Sequence, residues 1–317
     1  MQFPFRSPRA WLSVATLVLL ALVPVVAGAL DQPFYMTLFM RIMIYALAAL
    51  SLNLILGFGG MVSFGHALYL GIGAYAVGIL TQLGVANGWV HLGAALVVTI
   101  AVALFTGVIS LRTTGIAFIM ITLAFAQMFF FLGMSLKQFG GDEGMTIAQR
   151  SVFGLVDLEE KVVFYYLIFA IVLLTLYGSR RLVESRFGMV LRGTMENERR
   201  MKALGFPTLR YRLAAYVISA CFCAVSGLLL ANLTEFTSPD YMAWSRSGEL
   251  IVMVVLGGIG TSIGPLVGAM ALLLLEEFLS ALTTHWMIVM GPIIVLIVLV
   301  AKRGIAGLLP DLRGGGS

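Results

Sequence analysis

The feature that governs this chain is a succession of apolar runs, each close to the length that crosses a bilayer. Ten stand out, at about residues 11–30, 36–56, 62–83, 89–111, 114–135, 162–179, 213–232, 248–263, 265–283 and 286–301. A hydrocarbon core of ~30 Å takes about 20 apolar residues of helix. Within it every backbone N–H and C=O must be paired inside the protein, which leaves only helices and closed barrels. Runs this long predict helices. The expected fold is therefore all-α: one membrane bundle of about ten segments over residues 1–313. Charged residues form 11% of the 317, against roughly a quarter in soluble domains.

Two of the runs are irregular. The third carries Gly65, Gly71, Gly73 and Gly78, and the eighth is short. Either is a candidate re-entrant or half-helix, allowed only where protein or a water cavity covers the backbone. The first run follows Arg6 and Arg9 and ends near Ala27-Gly28-Ala29, which has the outline of a signal peptide. Its apolar stretch exceeds the roughly 7–15 residues of such a segment, and a polytopic chain follows, so it reads as a first membrane helix.

Charge sets an expected orientation. With the N-terminus inside, ten spans place Arg6, Arg9, Arg112, the nine Lys/Arg from Arg180 to Arg212, Lys302, Arg303 and Arg313 on the inner side. Lys137, Arg150, Lys161 and Arg246 fall outside, and Arg41 lies within the second run. Fifteen cations against four follow the positive-inside rule, with both termini cytoplasmic. The net charge of +5 then reflects topology. It does not argue for nucleic acid, and no aromatic–basic stripe supports that partner.

Catalytic chemistry is not visible. The chain has no P-loop, no GxSxG and no HExxH, so no catalytic residue, metal site or cofactor is expected on it. Cys221 and Cys223 stand two apart in one helical run, face different directions and read as packing residues. His66, His91 and His285 are scattered, and Asp157, Glu159 and Glu160 read as a solvated loop cluster. Gly314–Ser317 reads as an appended linker.

Glycine marks the unusual segments. Three of the four residues from Gly57 to Gly60 are glycine, a density that destabilises a helix. A helix break there is expected. Close packing through small residues, as in Ala67-Leu-Tyr-Leu-Gly71, accounts for the later glycines. A polar path along a broken helix would instead involve Gly57, Gly60, Ser63, His66 and Tyr75. A second cluster, Leu256 to Gly268, begins with Leu-Gly as Leu56-Gly57 does and lies on the same expected side. Glu276 and Glu277 are acids inside a membrane run, and such acids usually face a bundle interior or a cavity; near the outer end of the run they equally reach the interface. The outer loop 136–161 holds Phe139-Gly-Gly-Asp-Glu-Gly-Met145, where Gly140, Gly141, Asp142 and Glu143 are candidate contacts for an external partner. Between Ser179 and Arg212 the chain turns basic, with nine Lys/Arg and three Asp/Glu. That stretch is too polar to insert. Arg180-Arg181 is placed to meet anionic headgroups, and the remainder to meet something in the cytoplasm.

These same blocks carry a family resemblance. Leu52 to Tyr75, Phe139 to Met145, Ser185 to Gly205 and Leu256 to Gly264 resemble, in order, the inner-membrane permeases of bacterial branched-chain amino acid ABC transporters. The 136–161 loop and the Ser-Arg-Phe-Gly entry at 185–188 resemble the M-type subunit more than its H-type partner. The stretch Gly193-Thr194-Met195 departs from the more basic, more helix-favouring pattern of the family. The resemblance implies a permease paired with an H-type subunit, two cytoplasmic ATPase subunits that bind ATP and Mg, and a periplasmic solute-binding protein meeting the outer loop. It also implies that Met195–Leu204 is a helix docking on an ATPase, with Arg192, Glu196, Asn197, Glu198, Arg199, Arg200, Leu204 and Gly205 at or beside the contact. On such a helix Glu196 with Arg200, and Glu198 with Lys202, would pair four residues apart, with Gly205 capping its end and Pro207 terminating it. The competing class is an ion-coupled secondary transporter, which would show more embedded acids. The substrate within the amino-acid, amide and urea range of such relatives is not legible here.

Overall fold

The computed structural model describes residues 8–29, 32–154, 158–300 and 304–305. Arg6, Asp157, Lys302, Arg303, Arg313 and Gly314–Ser317 lie outside the described residues. The helices are α1 (Pro8–Ala29), α2 (Pro33–Leu56), α3 (Ala67–Gln82), α4 (Gly88–Ser110), α5 (Ile116–Ser135), α6 (Lys161–Glu184), α7 (Arg186–Ala203), α8 (Thr208–Thr234), α9 (Trp244–Gly257), α10 (Gly264–Leu282) and α11 (Trp286–Val300). Among the described residues, seven are long and apolar enough to cross a membrane: α1, α2, α4, α5, α6, α8 and α10. The expected count of about ten full spans is therefore not reached. α3, α9 and α11 have 16, 14 and 15 residues. For α3 and α9 the physical reason is the irregular backbone at the two glycine clusters. The runs 62–83 and 248–263 each spend part of their length on a glycine-rich turn instead of helix.

Three-quarters of α2 is buried, whereas the hydrophobic windows of α1 and α5 are about one-fifth buried. α2 is thus the central helix, and the outer ones present apolar side chains such as Val97, Phe105, Met120 and Phe131 to their surroundings. α8 packs on α2, α3 and α4. Its approach to α3 is close because both helices place glycine at the crossing. A Cβ at Gly227 would meet the Leu70 carbonyl, and one at Gly73 the Ala224 carbonyl.

The connection 136–160 is folded rather than open. Met145–Thr146 pairs antiparallel with Phe236–Thr237 beyond α8. Asn232 Oδ1 accepts from the Ser151 amide at 2.8 Å, and His91 Nδ1 lies 2.7 Å from Ser151 Oγ. Arg150 reaches Glu235 at 2.8 Å and donates to the Leu158 carbonyl at 2.7 Å.

Candidate functional site

The glycine break forms where the composition places it. α2 stops at Leu56, and residues 57–66 are irregular before α3 begins at Ala67. The segment first runs outward to Gly60, whose φ of 65° suits glycine. It then dips back. His66 Nε2 lies 2.8 Å from Ser51 Oγ, and Ser51 sits five residues before the end of α2, so α3 starts about 7 Å inside the bundle. Irregular backbone at that depth requires partners, and side chains supply them. Ser247 Oγ accepts from the Ala67 amide at 3.0 Å, Thr122 Oγ1 from the Phe64 amide at 3.3 Å, and Cys223 Sγ donates to the His66 carbonyl at 3.4 Å.

The five candidate path residues fall into two groups. Gly57 and Gly60 lie in the turn. Ser63 and His66 are fully buried, and Tyr75 is buried within α3. His66 is clasped by Ser51 and by Ser219, whose hydroxyl also donates to the Ser51 carbonyl. Beside it, Tyr69 Oη lies 2.9 Å from Thr106 Oγ1 and 3.0 Å from Tyr216 Oη. These contacts hold the re-entrant segment in place.

The two glycine clusters meet. The Asn53 side chain donates to the Thr261 carbonyl at 2.9 Å and accepts from the Gly260 amide at 3.0 Å. A Cβ at Gly57 would come within 2.5 Å of the Gly260 nitrogen. The α9–α10 turn is thereby locked onto the end of α2. Sequence reasoning passed over Asn53, although an amide one turn before Gly57 in an apolar helix is a visible signal.

The basic connection is α7 followed by the start of α8. α7 is two helices, not one. Asn197 has φ −156° and ψ 93°, and its Oδ1 accepts from the Arg200 amide at 2.9 Å. Asn197 is the N-cap of a short helix over residues 198–203. This corrects the continuous helix expected over Met195–Leu204. Glu196 falls before the cap and Arg200 after it, so they do not share a helical face, and no ion pair joins them among the described residues. Glu198 does pair with Lys202, at 2.8 Å. It also reaches Arg212 at 3.4 Å and accepts from Thr208 Oγ1 at 3.3 Å, so it ties the short helix to α8. The hydrogen-bonded Lys202, with Arg212 beside it, holds the Glu198 carboxyl below its usual range.

The end of this helix is a Schellman turn. The Gly205 amide donates to the Lys202 carbonyl at 3.0 Å and the Phe206 amide to that of Met201 at 3.2 Å, with Gly205 at φ 85°. Arg192 turns back to donate to the Val183 carbonyl at 3.3 Å. Glu196, Asn197, Arg199, Arg200, Leu204 and Gly205 are exposed. So are the apolar Met195, Leu204, Phe206 and Leu209. Met195 also touches the glycine break, since a Cβ at Gly60 would stand 2.8 Å from its Cγ.

In the 136–160 connection, Gly140, Gly141 and Gly144 all have positive φ. The tight turn they make carries Asp142 and Glu143 exposed at its tip. Gly140 and Gly141 are backbone devices that position the two acids. Elsewhere, Glu276 on α10 lies 3.6 Å from Arg41 on α2, a pairing the sequence did not reveal. Among the described residues no group of His, Cys, Asp and Glu could hold a metal ion.

Residues 34–299 match the family model described as branched-chain amino acid transport system / permease component. The chain is 28% identical to the high-affinity branched-chain amino acid transport system permease protein LivM of Salmonella typhimurium, over 86% of this chain and 69% of that one. It is 26% identical to the corresponding LivH of Escherichia coli, over 83% and 91%. It is 24% identical to a probable branched-chain amino acid transport permease LivM of Methanocaldococcus jannaschii, over 75% and 79%. No solved structure matches. A buried central helix, a covered re-entrant break and a family match across nearly the whole apolar region agree: the chain is a multi-pass membrane protein and belongs to the permease-component family of branched-chain amino acid transport systems, as an M-type member.

Proposed function

We propose that this chain is the M-type permease of an ABC importer in the bacterial inner membrane. It moves branched-chain or related amino acids inward, beside an H-type permease. Two cytoplasmic ATPase subunits bind ATP and Mg and drive it, and a periplasmic binding protein delivers substrate against Asp142 and Glu143. All ten membrane-directed helices, α1–α6 and α8–α11, take part, α3 and α9 being completed by their irregular turns, and both termini lie in the cytoplasm.

The observation that carries the reading is the α7–α8 corner. A membrane protein has little reason to hold Met195, Leu204 and Phe206 exposed at a polar end unless a partner covers them. The corner is capped at both ends, by Asn197 at its start and by Gly205 at its end. Its Met195 leans on Gly60, so movement of the corner reaches the re-entrant segment directly. Arg180 and Arg181 on α6 stand at the same end, where anionic headgroups lie.

The test is reconstitution of the chain with its co-expressed subunits in proteoliposomes, with loaded binding protein outside. ATP trapped inside is expected to drive accumulation of labelled leucine. Accumulation that needs no ATPase subunit and follows a proton or sodium gradient would sink the reading in favour of a secondary transporter.

A further inference from the structure

A cavity of about 560 Å³ opens between α2, α9, α10, α11 and the Pro239–Met242 turn. Its volume lies in the range of small-molecule sites, roughly 300–1,000 Å³. Five ionisable side chains line it: Arg41, Asp240, Arg246, Glu249 and Glu276. Ionisable groups within a membrane bundle are costly and as a rule face a pathway or a ligand. Here they are only partly spent on each other. Arg246 Nη1 holds Glu249 at 2.9 and 3.2 Å. Arg41 meets Glu276 at 3.6 Å, beyond hydrogen-bond distance, while its guanidinium lies over the Tyr45 ring, 5.9 Å from the centroid. Most of its five N–H donors are thus free to face the cavity. Asp240 forms no ion pair among the described residues. The lining therefore offers guanidinium donors, on Arg41 above all, and carboxylate acceptors on Asp240 and Glu276 that no hydrogen bond uses.

The remaining wall is apolar. Met253 and Leu272 form its buried floor, with Trp286 and Met290 opposite. Arg41 lies about two turns from the start of α2 and Glu276 less than two turns from the end of α10, so the cavity sits toward the end of the bundle that carries the 136–160 connection. Under the proposed orientation that end faces the periplasm.

We propose that this cavity is a binding site for a zwitterionic α-amino acid with an aliphatic side chain. Arg41 takes the carboxylate, Asp240 takes the ammonium, and the Met253–Leu272 floor takes the side chain. The proposal rests on the amino-acid transport reading and adds to it the place where the substrate pauses. The same pairing of ammonium and anion occurs in a phosphatidylethanolamine headgroup, so the experiment separates the two sources.

The assembled transporter, purified whole and placed in phosphatidylglycerol nanodiscs without binding protein or nucleotide, is titrated with L-leucine by saturation-transfer difference NMR. A saturable signal is expected. L-Valine should displace it, and neither 4-methylpentanoate nor 3-methylbutylamine, each lacking one charge, should do so. Asp240→Asn and Arg41→Gln should each weaken binding by about tenfold or more, the loss typical of a charge-assisted hydrogen bond. The double variant Arg41→Gln/Glu276→Gln, which strands no carboxylate, should be as weak while eluting from gel filtration like the parent. No leucine signal, equal displacement by the singly charged analogues, or variants that bind like the parent would overturn the site. Exclusion of leucine when phosphatidylethanolamine is added would assign the cavity to lipid and overturn it as well. ATP-driven uptake is measured alongside. Uptake with no cavity signal removes this site alone, whereas failure to take up any amino acid removes the transport reading beneath it.

Discussion

Two side chains do more than their surroundings require. Asn53 satisfies one donor and one acceptor of the α9–α10 turn from within α2. Asn53→Ala would leave the Gly260 amide and the Thr261 carbonyl short of partners, at about 1–3 kcal/mol. Asn53→Asp, nearly the same shape, should be no better, because it sets an oxygen against the Thr261 carbonyl. The expected readout is a lower unfolding midpoint of the purified protein for both variants; an unchanged midpoint would mean the bridge is idle. Glu198 is the second. Its carboxyl is held low by Lys202 and Arg212, so its contribution to the α7–α8 corner is complete above its ordinary value of 4.5 and is lost as pH falls through the lowered value beneath it. Amide hydrogen exchange over residues 198–206 should accelerate, beyond the intrinsic pH effect, only below that point. Glu198→Gln should abolish the pH step. A step that persists in Glu198→Gln would assign it to another group.

Among the elements, α7 shows what sequence reading reached and where it stopped. The end of its second helix was legible, because glycine followed by Phe-Pro leaves few alternatives to a left-handed cap. The start was not, since Gly193 to Met201 has ordinary helical spacing and nothing local forces a break. Asn197 decides it through its side chain, competing with the backbone for the Arg200 amide. The consequence for mutagenesis is specific. Glu198 occupies the first helical position, where proline is tolerated, whereas Met201 lies in the interior, where it costs ~3 kcal/mol. Met201→Pro should therefore abolish binding-protein-stimulated ATPase activity in the reconstituted complex. Glu198→Pro should lose far less, through its ion pairs alone. Equal effects would contradict the capped-helix geometry. The glycine break after α2 was likewise legible, from three glycines in four residues. Its covering by Ser247, Thr122 and Cys223 was not, because those partners come from three other helices and single polar residues in apolar runs look alike. The same limit hid the meeting of Arg41 with Glu276.

At the scale of the whole molecule, the apolar runs determine the architecture and the charges its expected direction. An activity reporter that works only outside the inner membrane should be silent when fused at residue 195 and active at 145; the reverse pattern would invert the bundle. Of the three helices too short to span, α3 and α9 each adjoin a glycine turn, and these are the turns that interlock through Asn53. That interlock bears on descent as well as on shape. Positions 53 and 260 lie 207 residues apart, yet the side chain of one holds the backbone of the other, and a side chain at 57 would strike both. A lineage that replaced the amide at 53 would also have to rebuild the turn at 260, and a side chain gained at 57 would have to wait for both. The three positions therefore form one heritable unit, free to change together and constrained singly, whatever solute the lineage comes to carry.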